Sequence, residues 1–296
     1  MSTQPSPSRV LYCESSAKGT IGGSPHCRLY PVEHLDRSQL KPAVPFRDQH
    51  ALVEKFGATA RTIGQPGGRA LQLGSNGGPL ALVRQGLNFG KFLATVASHV
   101  AFLRRERIAL VHLNNSITRP QGWMLATRLA RVPCVVHERD LGDAYTALDR
   151  WYPVDLNHVI PMSAWIRDQM VARGVPGENM RVMYDGLDPS SVKVGHPPET
   201  LRREWQVEAD VRLLGIVGNV GVWKGQESVV RAVIEVARAF PKVLCSIVGA
   251  AAPADQAYLA NLKALAAQAG LDTSFRFTGY HTACSAIMAR RPVPQS

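Results

Sequence analysis

Short runs made almost wholly of apolar residues recur along the chain. They fall at 9–13 (RVLYC), 108–113 (IALVHL), 133–138 (PCVVHE) and 157–163 (NHVIPMS), and again at 212–218 (RLLGIVG), 242–249 (KVLCSIVG) and 275–279 (FRFTG). Apart from FRFTG, none alternates with polar positions as a strand with one wet face would, so each of the others predicts a strand covered on both sides. Between the runs the apolar period changes. Phe92, Val96, Val100 and Leu103 recur at helical spacing and predict an amphipathic helix from Lys91 onwards. Residues 120–131 predict another, with Pro120 near the start, where a missing N–H costs little. Ser163 can cap a further helix, which carries Met162, Ile166 and Met170 on one face and ends at Gly174. A helix over 24–37, a strand at AVPF (43–46), and a short strand and turn at RVMYDGLD (181–188) are also expected. The glycine-rich stretch 58–90 predicts no definite element, and GGRALQLGSNGGP within it reads as an excursion.

The second half repeats the arrangement as β-α-β-α-β. Its first helix, 225–240, shows an apolar stripe at Val229, Val233, Val236 and Phe240. Its second, 254–270, shows one at Leu259, Leu262, Ala266 and Ala269. Buried strands alternating with helices argue for parallel sheets with helices on both faces. The expected fold class is therefore α/β, with two Rossmann-like units in tandem. Residues 1–188 form the first domain, the polar and proline-bearing stretch 189–212 a linker, and 213–296 the second domain. That second domain has three expected strands before the sequence closes on ARRPVPQS, where a doubly wound nucleotide domain usually has about five or six. It therefore reads as incomplete.

At 296 residues the chain is long enough for two separate cores. With 45% hydrophobic and 19% charged residues it has the composition of a globular protein. The net charge of +11 favours anionic partners, but the basic residues are scattered. The densest group, RRER at 104–107, closes a predicted helix, and no basic tract reads as a nucleic-acid arm. Five cysteines (Cys13, Cys27, Cys134, Cys245, Cys284) lie far apart, with no zinc-like spacing. Cys13, Cys134 and Cys245 sit in or at apolar strands and read as buried thiols, which fits a reducing cytosol. No apolar leader segment is visible in MSTQPSPSRVLYCESS, and no run of about 18 apolar residues occurs.

Three stretches carry candidate chemistry. In GNVGVWKG (218–225) a strand, a glycine-bearing turn and a helix start bring Lys224 to a place suited to anions. This is neither a Walker A nor a G-x-G-x-x-G sequence. A lysine reaching a diphosphate there would add charge-assisted bonds of about 1.5–3 kcal/mol. The plainer alternative is a surface lysine, but its charge would oppose the helix dipole. GTIGGS (19–24) follows the first strand, and its glycines allow either close approach of a ligand or a simple tight turn. VVHERD (135–140) ends a strand and puts His137, Glu138, Arg139 and Asp140 where α/β enzymes hold active-site groups. The same four residues could equally form a solvated loop of paired charges. No D-x-D pair for a metal-bridged diphosphate, no H-E-x-x-H, no G-x-S-x-G and no Cys/His ligand set is present, so no metal or other cofactor is expected.

These stretches together resemble the retaining GT-B glycosyltransferases of family four. VIPMSAWIRDQMVARGVPGENMRVMYDGLD (159–188) is similar to the family's segment closing the N-terminal domain with N-G-v-D. IVGNVGVWKGQESVVRAV (216–233) is similar to the v-G-R-l-x-x-x-K-G segment opening the C-terminal domain. SFRFTGY (274–280), GTIGGS and PCVVHERDL match further family segments, in the right order over most of the chain.

The resemblance implies a nucleotide-sugar donor, a glycan or lipid-linked acceptor, and transfer with retention in surface polysaccharide synthesis. Lys224 and Gly225, with Asn219, would face the donor diphosphate without a metal. Gly22 and Gly23 would let helix N–H groups approach the phosphate or acceptor. His137 and Arg139 would line the sugar side as the catalytic residues. A cytoplasmic protein with peripheral contact to acidic membrane follows from this reading. Three departures stand out. The family's arginine after the glycine is Asn219, its asparagine in N-G-v-D is Asp185, and its later E-x(7)-E is missing. Glu227 and Glu235 share that last spacing but lie too early in the chain and read as helix-surface residues. Two alternatives accompany this reading: a non-catalytic remnant of the fold that binds acceptor or partner, and a sugar-nucleotide epimerase-like protein.

Overall fold

A computed structural model describes residues 7–14, 31–46, 51–64, 66, 79–118, 120–139, 141, 145–147, 149–151, 158–186 and 198–280. The chain divides into two compact units, 1–186 and 187–296.

The described residues of the first unit form one sheet of six parallel strands. They are β1 (Ser8–Glu14), β2 (Leu40–Phe46), β3 (Arg61–Gly64), β4 (Ile108–Asn115), β5 (Cys134–Glu138) and β6 (His158–Pro161). Their order is β3-β2-β1-β4-β5-β6, so the strand order reverses between β1 and β4. That is the doubly wound arrangement, in which ligand-facing loops gather at the carboxyl ends of the strands beside the reversal. The described helices include α1 (Ala51–Gly57), α2 (Pro79–Arg105), α3 (Gln121–Ala130) and α4 (Ala164–Ala172). The apolar strands are buried as their composition requires, with Leu11, Val111, Leu113, Val136 and Val159 at 0% exposure. Phe92, Val96 and Leu103 of α2 pack on them. Cys13 and Cys134 are buried in the same core. Burial pushes the Cys134 thiol up to about 12, so it stays protonated.

Local signals of the sequence act as expected in α4. The Ile166 N–H donates to Ser163 Oγ at 3.2 Å, satisfying one of the first-turn donors. Elsewhere the structure departs from expectation. The glycine-rich stretch 58–90 contributes β3 and the first part of α2, which begins at Pro79 rather than Lys91. Gly86 and Gly90 interrupt the apolar period there without breaking the helix. Strand β2 starts three residues before AVPF. Residues 181–186 form no strand of their own. They run beside β6, with Arg181 N–H donating to the Val159 carbonyl and Met183 N–H to that of Pro161. The turn GTIGGS, the start of the 24–37 helix and the excursion at 67–78 lie outside the described residues.

The second unit has three described strands, β7 (Arg212–Val217), β8 (Val243–Val248) and β9 (Phe275–Gly279), parallel and in the order β7-β8-β9. Helices α5 (Pro198–Glu204), α6 (Gln226–Ala239) and α7 (Gln256–Gln268) belong to it. Part of the expected linker 189–212 is therefore structured. Trp205 is buried against Val248, and Arg276 donates to the Trp205 carbonyl. These contacts make residues 198–211 part of this unit. The stripe expected on α6 is also turned by one residue. Val230, Val233 and Ala237 are buried, whereas Val236 and Phe240 are exposed. Arg212 lies over the Phe240 ring, 4.2 Å from its centroid, which accounts for an apolar residue on the wet side. On α7, Leu262 and Ala266 are buried, but Ala269 is exposed.

Candidate functional site

In the first unit, β4 and β5 pair in register, with Asn114 opposite His137 and Asn115 opposite Glu138. Because successive strand side chains point to opposite faces, His137 and Glu138 diverge. Glu138 is fully buried. Its Oε2 accepts the Ile117 N–H at 2.7 Å, and its carbonyl accepts the Met162 N–H at 3.0 Å. It ties the loop after β4 to the end of β6, a bracing role that its place in a charge cluster did not reveal.

Arg139 leaves the strand and turns back. Its Nε donates to Asn114 Oδ1 at 2.7 Å, and its Nη1 donates to Asp185 Oδ2. Asp185 Oδ1 lies 4.0 Å from His137 Nε2, and that nitrogen has no hydrogen-bond partner among the described residues. The His112 ring stacks on that of His137, with centroids 5.9 Å apart. Burial, with help from the Arg139 charge and against the pull of Asp185, lowers the His137 pKa to about 4. At neutral pH the ring is uncharged and can give or take one hydrogen bond. Asn114, His137, Arg139 and Asp185 thus converge at the carboxyl ends of β4, β5 and β6, beside the strand-order reversal. Asn114 carried no signal in the sequence, and Asp185 was visible only as a departure from a motif. Arg139 does pair its charge, with Asp185; Asp140 lies outside the described residues.

In the second unit, glycine closes β9 (Gly279) and directly follows β7 (Gly218) and β8 (Gly249), and the turn after β7 carries Lys224. Gly249 approaches Gly218 so closely that a Cβ would sit 1.9 Å from the Gly218 oxygen. Its N–H donates to the Gly279 carbonyl at 2.9 Å. The turn continues through Asn219 and Val220 into a single 3-10 turn, Val222–Lys224. Gly225, at φ +73°, closes that turn and leads into α6, a conformation that glycine adopts without strain.

The Gln226 side chain is completely buried and fixes this path. Its Nε2 donates to the Asn219 carbonyl at 2.9 Å, and its Oε1 lies 3.5 Å from the Gly221 N–H that it accepts. Asn219 is half-buried and Lys224 exposed. The Glu227 N–H in the first turn of α6 donates to Tyr258 Oη at 3.0 Å, so this donor is held within the unit. Glu227 and Glu235 pair with Arg231 and Arg238 on the exposed side of α6. Lys224, Gly225 and Asn219 are thus gathered at one turn, and His137 and Arg139 in one cluster of the first unit. Gly22 and Gly23 lie outside the described residues. No three His, Cys, Asp or Glu side chains converge to hold a metal ion among the described residues.

Two parallel α/β units, each with polar groups gathered at the carboxyl ends of its strands, define a GT-B type fold. Residues 53–186 match the family described as glycosyl transferase 4-like domain, and residues 198–290 match glycosyl transferases group 1. The chain belongs to the group 1 glycosyltransferases of GT-B fold. It is similar to the structure of Anabaena HepE in complex with UDP, at 20% identity and a TM-score of 0.71, covering 95% of this chain and 71% of that one. It is also similar to the lipopolysaccharide outer core galactosyltransferase WaaB, at 13% identity and a TM-score of 0.59, covering 96% and 71%. The UDP-GlcNAc 2-epimerase of Neisseria meningitidis, bound to UDP-GlcNAc, is similar at 12% identity and a TM-score of 0.54, covering 95% and 74%. No curated protein sequence matches the chain significantly.

Proposed function

We propose that this glycosyltransferase moves a hexosyl group from a nucleotide-sugar to a glycan or glycolipid acceptor, with retention, in the synthesis of surface polysaccharide. The observation that carries the reading is the β7–α6 turn, where the buried Gln226 side chain braces the backbone that presents Lys224. A braced turn with one lysine and a helix start suits the donor diphosphate, and a lysine there would stabilise the leaving group as its charge develops. Asn219 would add a neutral hydrogen bond where the related motif has an arginine. Gly22 and Gly23 would let helix N–H groups approach the phosphate or acceptor. The structures of HepE with UDP and with UDP-glucose support a nucleotide-sugar as the donor class.

His137 and Arg139 would act on the sugar. A neutral His137 can hydrogen-bond a sugar hydroxyl without carrying a charge into the site, and Arg139, held by Asn114 and Asp185, keeps a fixed cation beside it. No metal is needed for these roles. No described helix is long and apolar enough to cross a membrane. Peripheral contact with acidic lipid on the cytoplasmic side fits the net charge of +11.

The test is transfer from a panel of UDP-, GDP- and ADP-sugars to a simple alkyl glycoside, with the product's anomeric configuration read from its H1–H2 coupling. Retention supports the reading, and inversion overturns its stereochemical part. The fold likeness to an epimerase favours a second reading, epimerisation of the nucleotide-sugar itself. An altered sugar still bound to nucleotide, formed without acceptor, would establish that one instead.

A further inference from the structure

Lys224 does not stand alone in its turn. Its ammonium lies over the ring of Trp223, 4.0 Å from the centroid. The ring is itself 75% exposed, although tryptophan is a costly residue to leave in water. Room for the ring is made by Gly221. A Cβ on that residue would lie 3.1 Å from Trp223 Nε1 and 3.4 Å from Cδ1. The peptide of Gly221 is in turn bonded to the buried Gln226 side chain. Backbone, ring and ammonium are thus stacked in order on a support that the fold fixes.

We infer that Trp223 is a positioning residue for Lys224, a platform whose π face holds the ammonium over the β7–α6 turn, in place to meet an anionic diphosphate. This rests on the reading of Lys224 as the diphosphate contact. A lysine has four rotatable bonds, and a free one would have to be ordered on binding. A lysine already resting on an aromatic face loses less. The ring leaves the three N–H donors of the ammonium available, because its attraction is electrostatic and directed at the face. A carboxylate partner in that place would instead neutralise the charge and compete with the phosphate. Gly221 serves the same device indirectly, since a Cβ there would crowd the indole and force it to shift by a few tenths of an ångström.

The inference is tested on the full chain with UDP as the probe. Binding is measured by titration calorimetry for the native protein, Lys224→Ala, Trp223→Ala and Trp223→Phe. The ring-current displacement of the Lys224 ε-methylene protons is read by NMR. Trp223→Ala is expected to raise the UDP Kd about two- to fivefold, the range an exposed cation–π contact supports. Trp223→Phe, which restores an aromatic face, recovers most of that loss. The ε-methylene signal is upfield in the native protein and returns to its ordinary position in Trp223→Ala, a change that a general loosening of the turn would not give. Binding that weakens in Lys224→Ala but equals the native value in Trp223→Ala overturns the positioning role and leaves the function reading intact. An ε-methylene signal unmoved by Trp223→Ala overturns it as well. Native protein that binds no UDP overturns both.

Discussion

Arg139 and Asp185, 46 positions apart in the chain, are joined by a charge-assisted hydrogen bond from Nη1 to Oδ2. The same guanidinium is anchored on the other side by Asn114. The Arg139 side chain is only 10% exposed and that of Asp185 25%, so water screens the pair less than it would at the surface. Asp185 stands where the related motif has asparagine, and it supplies a charge that matches the arginine. Replacing it with alanine is expected to destabilise the first unit towards the lower end of about 1.5–3 kcal/mol, the usual range for a hydrogen bond to a charged group. Asp185→Asn keeps an acceptor and loses about half as much by the same reckoning. Urea unfolding followed by circular dichroism measures both, and a midpoint unchanged in Asp185→Ala would show that the pair contributes nothing.

His137 should make the first unit acid-sensitive. Its ring is held neutral, at about 4 against an ordinary 6.5, chiefly by burial. The folded state therefore prefers the unprotonated ring. The stability that depends on this preference is complete above pH 6.5 and is lost as the pH falls from there towards 4. At about 1.4 kcal/mol per pKa unit, the loss is at most about 3.5 kcal/mol. His137→Gln should flatten the dependence of unfolding free energy on pH across that window. A slope as steep in the variant as in the native chain would assign the sensitivity to other groups.

Gly249→Ala should disrupt the second unit. The glycine has φ +147°, and a Cβ would fall 1.9 Å from a backbone oxygen that cannot swing aside. A cost above about 4 kcal/mol is expected, in the range reserved for strain and steric conflict in a core. Gly64→Ala is the control, because a Cβ there meets nothing within 4 Å. Limited trypsin digestion of the two variants should cut the second unit of the first and spare the control; equal resistance would contradict the close approach.

The fold was largely legible in the sequence because parallel strands are covered on both faces and so read as unbroken apolar runs. β1, β4, β5 and β8 were visible in this way. RTIG at β3 was not, since a short edge strand needs no such run. The start of α2 was hidden by Gly86 and Gly90. In α6 the apolar stripe was misplaced by one residue because Phe240 is held against Arg212 at the surface rather than in the core. Lys224 and Arg139 could be singled out as candidates from their place after strands, and His137 from its place near the end of β5. Gln226 and Asn114 were not, because a polar side chain that braces a turn or anchors an arginine has no signature until the chain is folded.

Contact with acidic membrane should appear as salt-sensitive sedimentation with vesicles. A basic residue near an anionic surface contributes about 1 kcal/mol, screened beyond about 8 Å at physiological salt. With a net charge of +11, the chain is expected to pellet with vesicles containing about a third phosphatidylglycerol and to be released by raised salt. Equal recovery with purely zwitterionic vesicles would contradict an electrostatic contact.

The most direct measurement is release of free nucleotide from the donor panel by the native chain, by Lys224→Ala and by His137→Ala. Loss of a charge-assisted contact worth about 1.5–3 kcal/mol corresponds to a fall of roughly 10- to 150-fold in rate. The account predicts slow release from at least one nucleotide-sugar by the native chain, a fall of that size in Lys224→Ala, a smaller fall of about 2- to 13-fold in His137→Ala for a neutral hydrogen bond of about 0.5–1.5 kcal/mol, and weakened UDP binding in Lys224→Ala alone. Native turnover that both variants retain in full would contradict it.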